Sequence, residues 1–195
     1  MSVNWLAECR AQMLEEEKLL LYALVRGLKP QSVLEIGVFE GGSSAIILHA
    51  LDENQSGQLY SIDPAPQISF STQNSNMFQR WHFVKGHSPE AIGRIVTDLR
   101  DVEPFDFVLI DGGHTKQEVI ADVEGVIPYL TDEAWLLFHD AFAPGVEDAI
   151  EYEIGAYPTG GYTLSDCGML CNTFVYLEHM RANYYGMRLL RFERG

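Results

Sequence analysis

Residues 33–51, VLEIGVFEGGSSAIILHAL, join a buried strand to a helix through a glycine turn, and that succession narrows the choice of fold sharply. Val33, Leu34 and Ile36 supply a β-branched and apolar run, while Gly37, Gly41 and Gly42 permit backbone geometry and close ligand approach that a Cβ would block. Ser43 and Ser44 are placed to cap a helix beginning near Ala45, whose apolar positions Ile46, Ile47, Ala50 and Leu51 recur at helical spacing. Such a turn belongs at the carboxyl edge of a parallel sheet, where doubly wound α/β proteins bind nucleoside cofactors.

The alternation continues on both sides of this segment. Residues 4–27 carry a helical pattern capped by Asn4, with Leu6, Met13, Leu20 and Leu24 on its apolar stripe and Gly27 and Pro30 ending it. Strand-like runs fall at 32–36, 58–62, 81–84, 105–110 and 134–138, the last after a helical stretch at 116–129. Strands alternating with helices imply βαβ crossovers and a mainly parallel sheet. A short helix at 145–154, a Gly/Pro loop at 157–162 and two closing strands at 169–178 and 187–192 follow, the pair suited to an antiparallel edge. The expected fold class is therefore α/β, a Rossmann-like doubly wound sheet of about seven strands with helices on both faces. One domain over 1–195 is expected, with an N-terminal helix region (1–29), a cofactor-binding core (30–155) and closing strands (156–195). The polar stretch 66–80 lacks periodicity and is a candidate lid.

Charge narrows the partners. Thirteen Lys and Arg against 28 Asp and Glu leave a formal net charge of −15, a field that repels nucleic acid. Arg181, Arg188, Arg191 and Arg194 form the one basic cluster, read as charges flanking a last strand. The apolar run at 19–25 is too short to cross a bilayer, and Cys9, Cys167 and Cys171 are too scattered for a disulfide framework. These features point to a cytoplasmic protein with no nucleic-acid or membrane partner.

Residues with reactive side chains cluster just after the expected strands: Glu35, Asp63, His87 and Ser88, Asp111 and His114, His139 and Asp140. In an open α/β sheet these positions gather in one crevice. Asp63 lies 22 residues beyond Gly41, where a carboxylate can accept hydrogen bonds from ribose hydroxyls. The glycine pattern runs Glu35-x-Gly37-x-x-x-Gly41-x-Ser43 and lacks the spacing of a pyrophosphate loop, so an NAD-dependent dehydrogenase ranks last. A carboxylate near that turn suits a cationic amino-acid moiety.

Taken together, VLEIGVFEGGSS, SID, FDFVLIDGGHTKQEVIADVEGVIPYL and AWLLFHDAF resemble the class I S-adenosylmethionine-dependent methyltransferases. Within these, the chain is similar to the small-molecule O-methyltransferase group related to macrolide-sugar O-methyltransferases and cephalosporin hydroxylase-like proteins, over about residues 30–155. The resemblance implies that Gly37, Gly41 and Ser43 border the methionine end of the cofactor, with Glu35 nearby as a further cofactor-binding residue, Asp63 at the ribose and Ser88 at the adenine. His87 stands where many relatives carry an Asp that recognises the adenine amino group. The resemblance also makes Asp111 and His114 the catalytic pair, with Asp111 beside the cofactor as well. Asp111, His139 and Asp140 form a candidate metal site, and the imidazole favours manganese, iron or zinc over magnesium.

The chemistry agrees with this assignment. A hydroxyl is a poor nucleophile while protonated, and a positioned imidazole can take its proton near pH 7. The expected activity is O-methylation of a sugar or other hydroxylated small molecule, with His114 as base. A second reading is a binding module that keeps the S-adenosylmethionine pocket without turnover. A third is a metal-dependent redox enzyme drawing ligands from Asp111, His114, His139 and Asp140. Trp5 and the loops at 66–80 and 155–168 are the visible material for acceptor recognition. So little of it argues for a homo-oligomer in which a neighbouring subunit completes the site. Asp122 and Glu124, on the 116–129 helix, could support the site, but the surface is their expected place.

Overall fold

The computed structural model describes residues 5–6, 9–68, 76–99, 101–155, 161–171, 175–176, 182–183 and 186–195. Its strands are β1 (Ser32–Ile36), β2 (Gln58–Asp63), β3 (Trp81–Lys85), β4 (Phe105–Ile110), β5 (Leu130–Phe138), β6 (Tyr162–Cys171), β7 (Val175–Tyr176), β8 (Ala182–Asn183) and β9 (Met187–Arg194). Its α-helices are α1 (Glu15–Leu28), α2 (Gly42–Asn54), α3 (Glu90–Asp98), α4 (Lys116–Val126) and α5 (Pro144–Gly155).

Seven strands form one sheet in the order β3-β2-β1-β4-β5-β9-β6, and β7 pairs separately with β8. The first five are parallel, with Ile36 opposite both Ile62 and Ile110. β9 runs antiparallel to β5 and to β6, so the closing strands make the antiparallel edge expected from the sequence.

Alternation along the strands divides the apolar residues between two layers. Val33, Phe107, Leu109 and Leu137 pack with α1 and α2, through Leu21, Val25, Ile46 and Leu51. Leu34, Ile36, Val108, Ile110, Leu136 and Phe138 pack with α3, α4 and α5, through Ile92, Val123 and Ile150. With both faces covered, β1 is buried along its whole length.

Several boundaries differ from expectation for identifiable reasons. Helix α1 starts at Glu15 with Leu14 at its N-cap, because the Glu17 carboxylate turns back to accept the Leu14 amide at 2.9 Å. Asn4 lies outside the described residues. Helix α2 starts at Gly42 and its N-cap is Gly41 in the left-handed region, so Ser43 and Ser44 do not cap it. Strand β5 begins at Leu130, four residues early, since Leu130 pairs with Phe105. Residues 162–168, expected in a loop, belong to β6 along β9. Of the candidate lid, 76–80 form a 3-10 turn and 69–75 lie outside the described residues.

The basic cluster is neutralised in place. Arg188 pairs with Asp166 at 2.7 Å and Glu151 at 2.8 Å, and Arg191 with Glu133 at 3.1 Å. Arg194 sits 3.5 Å from Asp132, while Arg181 lies outside the described residues. Among the described residues no helix is long and apolar enough to cross a membrane.

Candidate active site

Loops at the carboxyl ends of β1 to β5 open onto one cleft of about 790 Å³. Gly37, Ser43, Asp63, His87, Ser88, Asp111, His114, His139 and Asp140 all line it. Parallel strands ending side by side bring together residues a hundred positions apart. Gly37 has φ +95°, and a Cβ there would lie 2.0 Å from the Asp111 carbonyl oxygen. Only glycine lets the first loop close onto the fourth. Gly42 is equally tight: its Cβ would meet the Ala11 nitrogen at 2.1 Å, because residues 10–13 cross the start of α2 and wall the cleft.

Glu35 is the main correction among the expected cofactor contacts. Its side chain is fully buried beneath the loop and is not part of the cleft lining. It accepts hydrogen bonds from the hydroxyls of Ser43 (2.5 Å), Ser44 (2.6 Å) and Ser61 (2.6 Å). Burial pushes its pKa up to about 7, against the pull of those three donors. Glu35 therefore ties α2 to β1 and β2. Gly41 shapes the same turn from the N-cap position, with φ +84°.

Asp63 lines the cleft and shapes its loop. Its Oδ2 accepts the amides of Val38 and Phe39, both at 2.9 Å, and its Oδ1 accepts Ala65 at 2.6 Å. A carboxylate has about four lone-pair sites, so capacity is left for a further donor.

The opposite wall is a chain of ionic contacts. His114 Nε2 lies 3.1 Å from Asp140 Oδ2. His139 Nδ1 lies 3.0 Å from Asp111 Oδ1 and 3.4 Å from Asp140 Oδ2, and His139 Nε2 lies 3.2 Å from Glu17 Oε2. The bond from Asp140 raises the His114 pKa above its ordinary value, although burial opposes it. Burial also opposes charge on His139, but Asp111, Asp140 and Glu17 outweigh it and raise the pKa well above normal. Asp140 is held down at about 2, burial notwithstanding, by the two imidazoles. The carboxylates around His139 thus favour its charged form in this arrangement.

Asp111, His139 and Asp140 each offer a ligand atom within 4.8 Å of the others. His114 is not in that group, so the redox reading's set with two imidazoles is not assembled among the described residues. The trio suits a divalent cation in its donor chemistry: with Nε2–H donated to Glu17, a neutral His139 presents Nδ1 toward both carboxylates.

Glu17 and the segment 10–13 were not expected at this site, and Asp122 was expected at the surface. Glu17 is fully buried although it lies within an EEE run that reads as a solvated helix start. Its Oε1 accepts the Gly186 amide at 2.6 Å, joining α1 to the start of β9. Asp122 is 5% exposed and lines the cleft, whereas Glu124 is at the surface as expected. The spacing of IDGxH to a later Asp was its signal. Trp5 instead stacks on His49, with ring centres 4.1 Å apart, away from the cleft lining.

The family model described as a methyltransferase domain matches residues 34–141. Among curated proteins, none matches the chain by sequence. The fold is similar to that of the O-methyltransferase from Bacillus cereus, solved in complex with SAH. The two are 18% identical, the match covers 98% of this chain and 87% of that one, and the TM-score is 0.69. It is also similar to the O-methyltransferase TomG from Streptomyces achromogenes, involved in tomaymycin synthesis and solved in complex with SAM. Here identity is 17%, coverage 100% and 92%, and the TM-score 0.69. The SAH-bound methyltransferase PaMTH1 from Podospora anserina matches at 12% identity, with coverage of 100% and 89% and a TM-score of 0.64.

Proposed function

This chain belongs to the methyltransferase-domain family, and on that premise we propose that it transfers a methyl group from S-adenosylmethionine to a hydroxyl oxygen of a small molecule, with His114 as general base. The observation that carries this reading is the convergence of Gly37, Asp63, Asp111 and the His114–Asp140 pair on a single cleft.

The lining fits the cofactor. Among the described residues it includes Glu40, Asp63, Asp111, Glu118, Asp122 and Asp140, against Arg10 as its one Arg or Lys, so it favours a cation. S-adenosylmethionine supplies a methyl already bound to a good leaving group. The protein's part is to align acceptor and cofactor and to receive a proton. Asp63 is placed to hold a ribose hydroxyl through its remaining acceptor site, while Gly37 lets the ligand lie against bare backbone. His114 is half exposed at the cleft rim, where an acceptor hydroxyl can reach it. Asp140 orients the ring and stabilises the imidazolium that proton transfer produces. Asp111, His139 and Asp140 would hold a divalent cation, whose role would be to ease ionisation of the same hydroxyl.

The acceptor class we propose is a sugar or another hydroxylated small molecule, in keeping with a cleft of about 790 Å³. Incubation with methyl-labelled S-adenosylmethionine and a panel of sugars, glycosides and phenols, read by mass spectrometry, tests the proposal. Labelled product that disappears in His114→Ala supports it. Retained S-adenosylhomocysteine binding with no transfer to any acceptor favours the non-catalytic module, and transfer undiminished in His114→Ala removes the base assignment.

A further inference from the structure

Helix α5 turns Val146, Ala149 and Ile150 into the core, and the next position on that stripe is Glu153, only 5% exposed. A carboxyl thus stands where the spacing i, i+3, i+4, i+7 calls for an apolar side chain. Its Oε1 is buried without a hydrogen-bond partner among the described residues. Val146, Ala149 and Ile150 share their core layer with Val123 and Val126 of α4, and Tyr162, at the start of β6, packs against the same layer. Glu153 therefore sits at the joint of α4, α5 and β6.

The groups around it give a charge no relief. Glu124 of α4 repels a carboxylate at Glu153, and among the described residues no cation offsets it. From β6 comes the neutral phenol of Tyr162, whose pKa is raised by burial first and then by Glu153 and Glu124. On α5 itself, Glu151 is paired with Arg188 of β9 at 2.8 Å. A carboxylate buried beside a like charge and short of a donor is costly, whereas the neutral acid is tolerated. Burial, and then Glu124, accordingly lifts the Glu153 pKa to about 7.

We propose that Glu153 makes this joint a pH-sensitive latch: as the neutral acid it lets the last turns of α5 lie closed on α4 and β6, and as the carboxylate it drives them open into water. The other end of α5 backs the candidate active site, since a Cβ on Gly145 would lie 2.2 Å from the His114 carbonyl oxygen. Opening therefore loosens a helix that supports the loop carrying His114. The latch needs no ligand, so it stands or falls independently of the S-adenosylmethionine reading.

Hydrogen exchange of the full chain, read by mass spectrometry from about pH 5 to pH 8.5 and normalised to an unstructured peptide at each pH, tests the latch. The open carboxyl ionises near its ordinary 4.5 and the closed one near 7, so protection is greatest at low pH and declines as pH rises toward 7. Amides of residues 147–153 are expected to lose protection roughly tenfold per pH unit up to about 7 and to level off above it. In Glu153→Gln, which cannot ionise, the same amides keep one level of protection across the range. Protection in wild-type α5 that is flat with pH overturns the proposal, and that result needs no variant to fold. A slope that persists in Glu153→Gln also overturns it, since Glu35 or another group then supplies the proton. So does a slope shared equally by every element, which marks global unfolding and not a local joint.

Discussion

Two side chains show how environment divides similar carboxylates between roles. Glu35 has a folded pKa near 7 against 4.5 in the unfolded chain, so between those values the native state holds the extra proton. Its contribution favours folding at low pH and is lost as pH rises through about 7. Glu35→Gln removes the charge and keeps an acceptor for the serines. Its melting temperature relative to wild type is expected to improve steadily from pH 5 to pH 7.5, and parallel curves would contradict this. Asp140 acts in the opposite sense, holding a proton on His114. If His114 must be neutral to act as base, the transfer rate rises with pH on the alkaline side of 6.5. Asp140→Asn should move that limb to lower pH, while His114→Ala should cut kcat/KM by about 10²–10⁴ without altering S-adenosylhomocysteine affinity. A limb that stays put in Asp140→Asn would remove the pair from the mechanism. Residue types after each strand made these positions legible in the sequence. Which of them turn inward was not, because Glu35 and Asp63 both precede loops and differ only in the partners that fold around them.

At the level of elements, helix α1 and the segment before it link the first core layer to the cleft. Glu17 reaches from α1 to His139 and to the Gly186 amide, both distant in sequence. Glu17→Ala leaves the buried His139 ring short of one partner and the Gly186 amide unpaired, a loss of about 3 kcal/mol or more in urea unfolding. A change under about 0.5 kcal/mol, the range of a surface substitution, would contradict the contact. Gly42→Ala is expected to push residues 10–13 off the start of α2 and lower the melting temperature, because the new Cβ meets backbone. The strands β1 to β5 were readable because each apolar run lies between local turn signals. The true start of α1 was not, since it depends on Glu17 turning back onto Leu14 once His139 is in place. Strand β6 was hidden for a related reason: most of its middle is exposed, and pairing with β9 is what extends it.

Across the whole molecule, a net charge of −15 and a cleft rich in carboxylates attract a cationic ligand. Stopped-flow association of S-adenosylmethionine should slow several-fold as ionic strength rises from about 0.02 to 0.3 M, over which the Debye length shrinks below about 10 Å. S-adenosylhomocysteine, lacking the sulfonium charge, should change little, and equal salt slopes would exclude steering by that charge. The architecture as a whole was legible from alternation alone, whereas the insertion of β9 between β5 and β6 was not, because it pairs segments with no local signature of order. The account depends on where the nucleoside lies. A crystal structure of the chain with S-adenosylhomocysteine is expected to show the ribose on Asp63, the sulfur beside Gly37 and the adenine against Ser88, with His114 facing the sulfur across an open acceptor space. A nucleoside bound outside this cleft, or one reversed within it, would contradict the account.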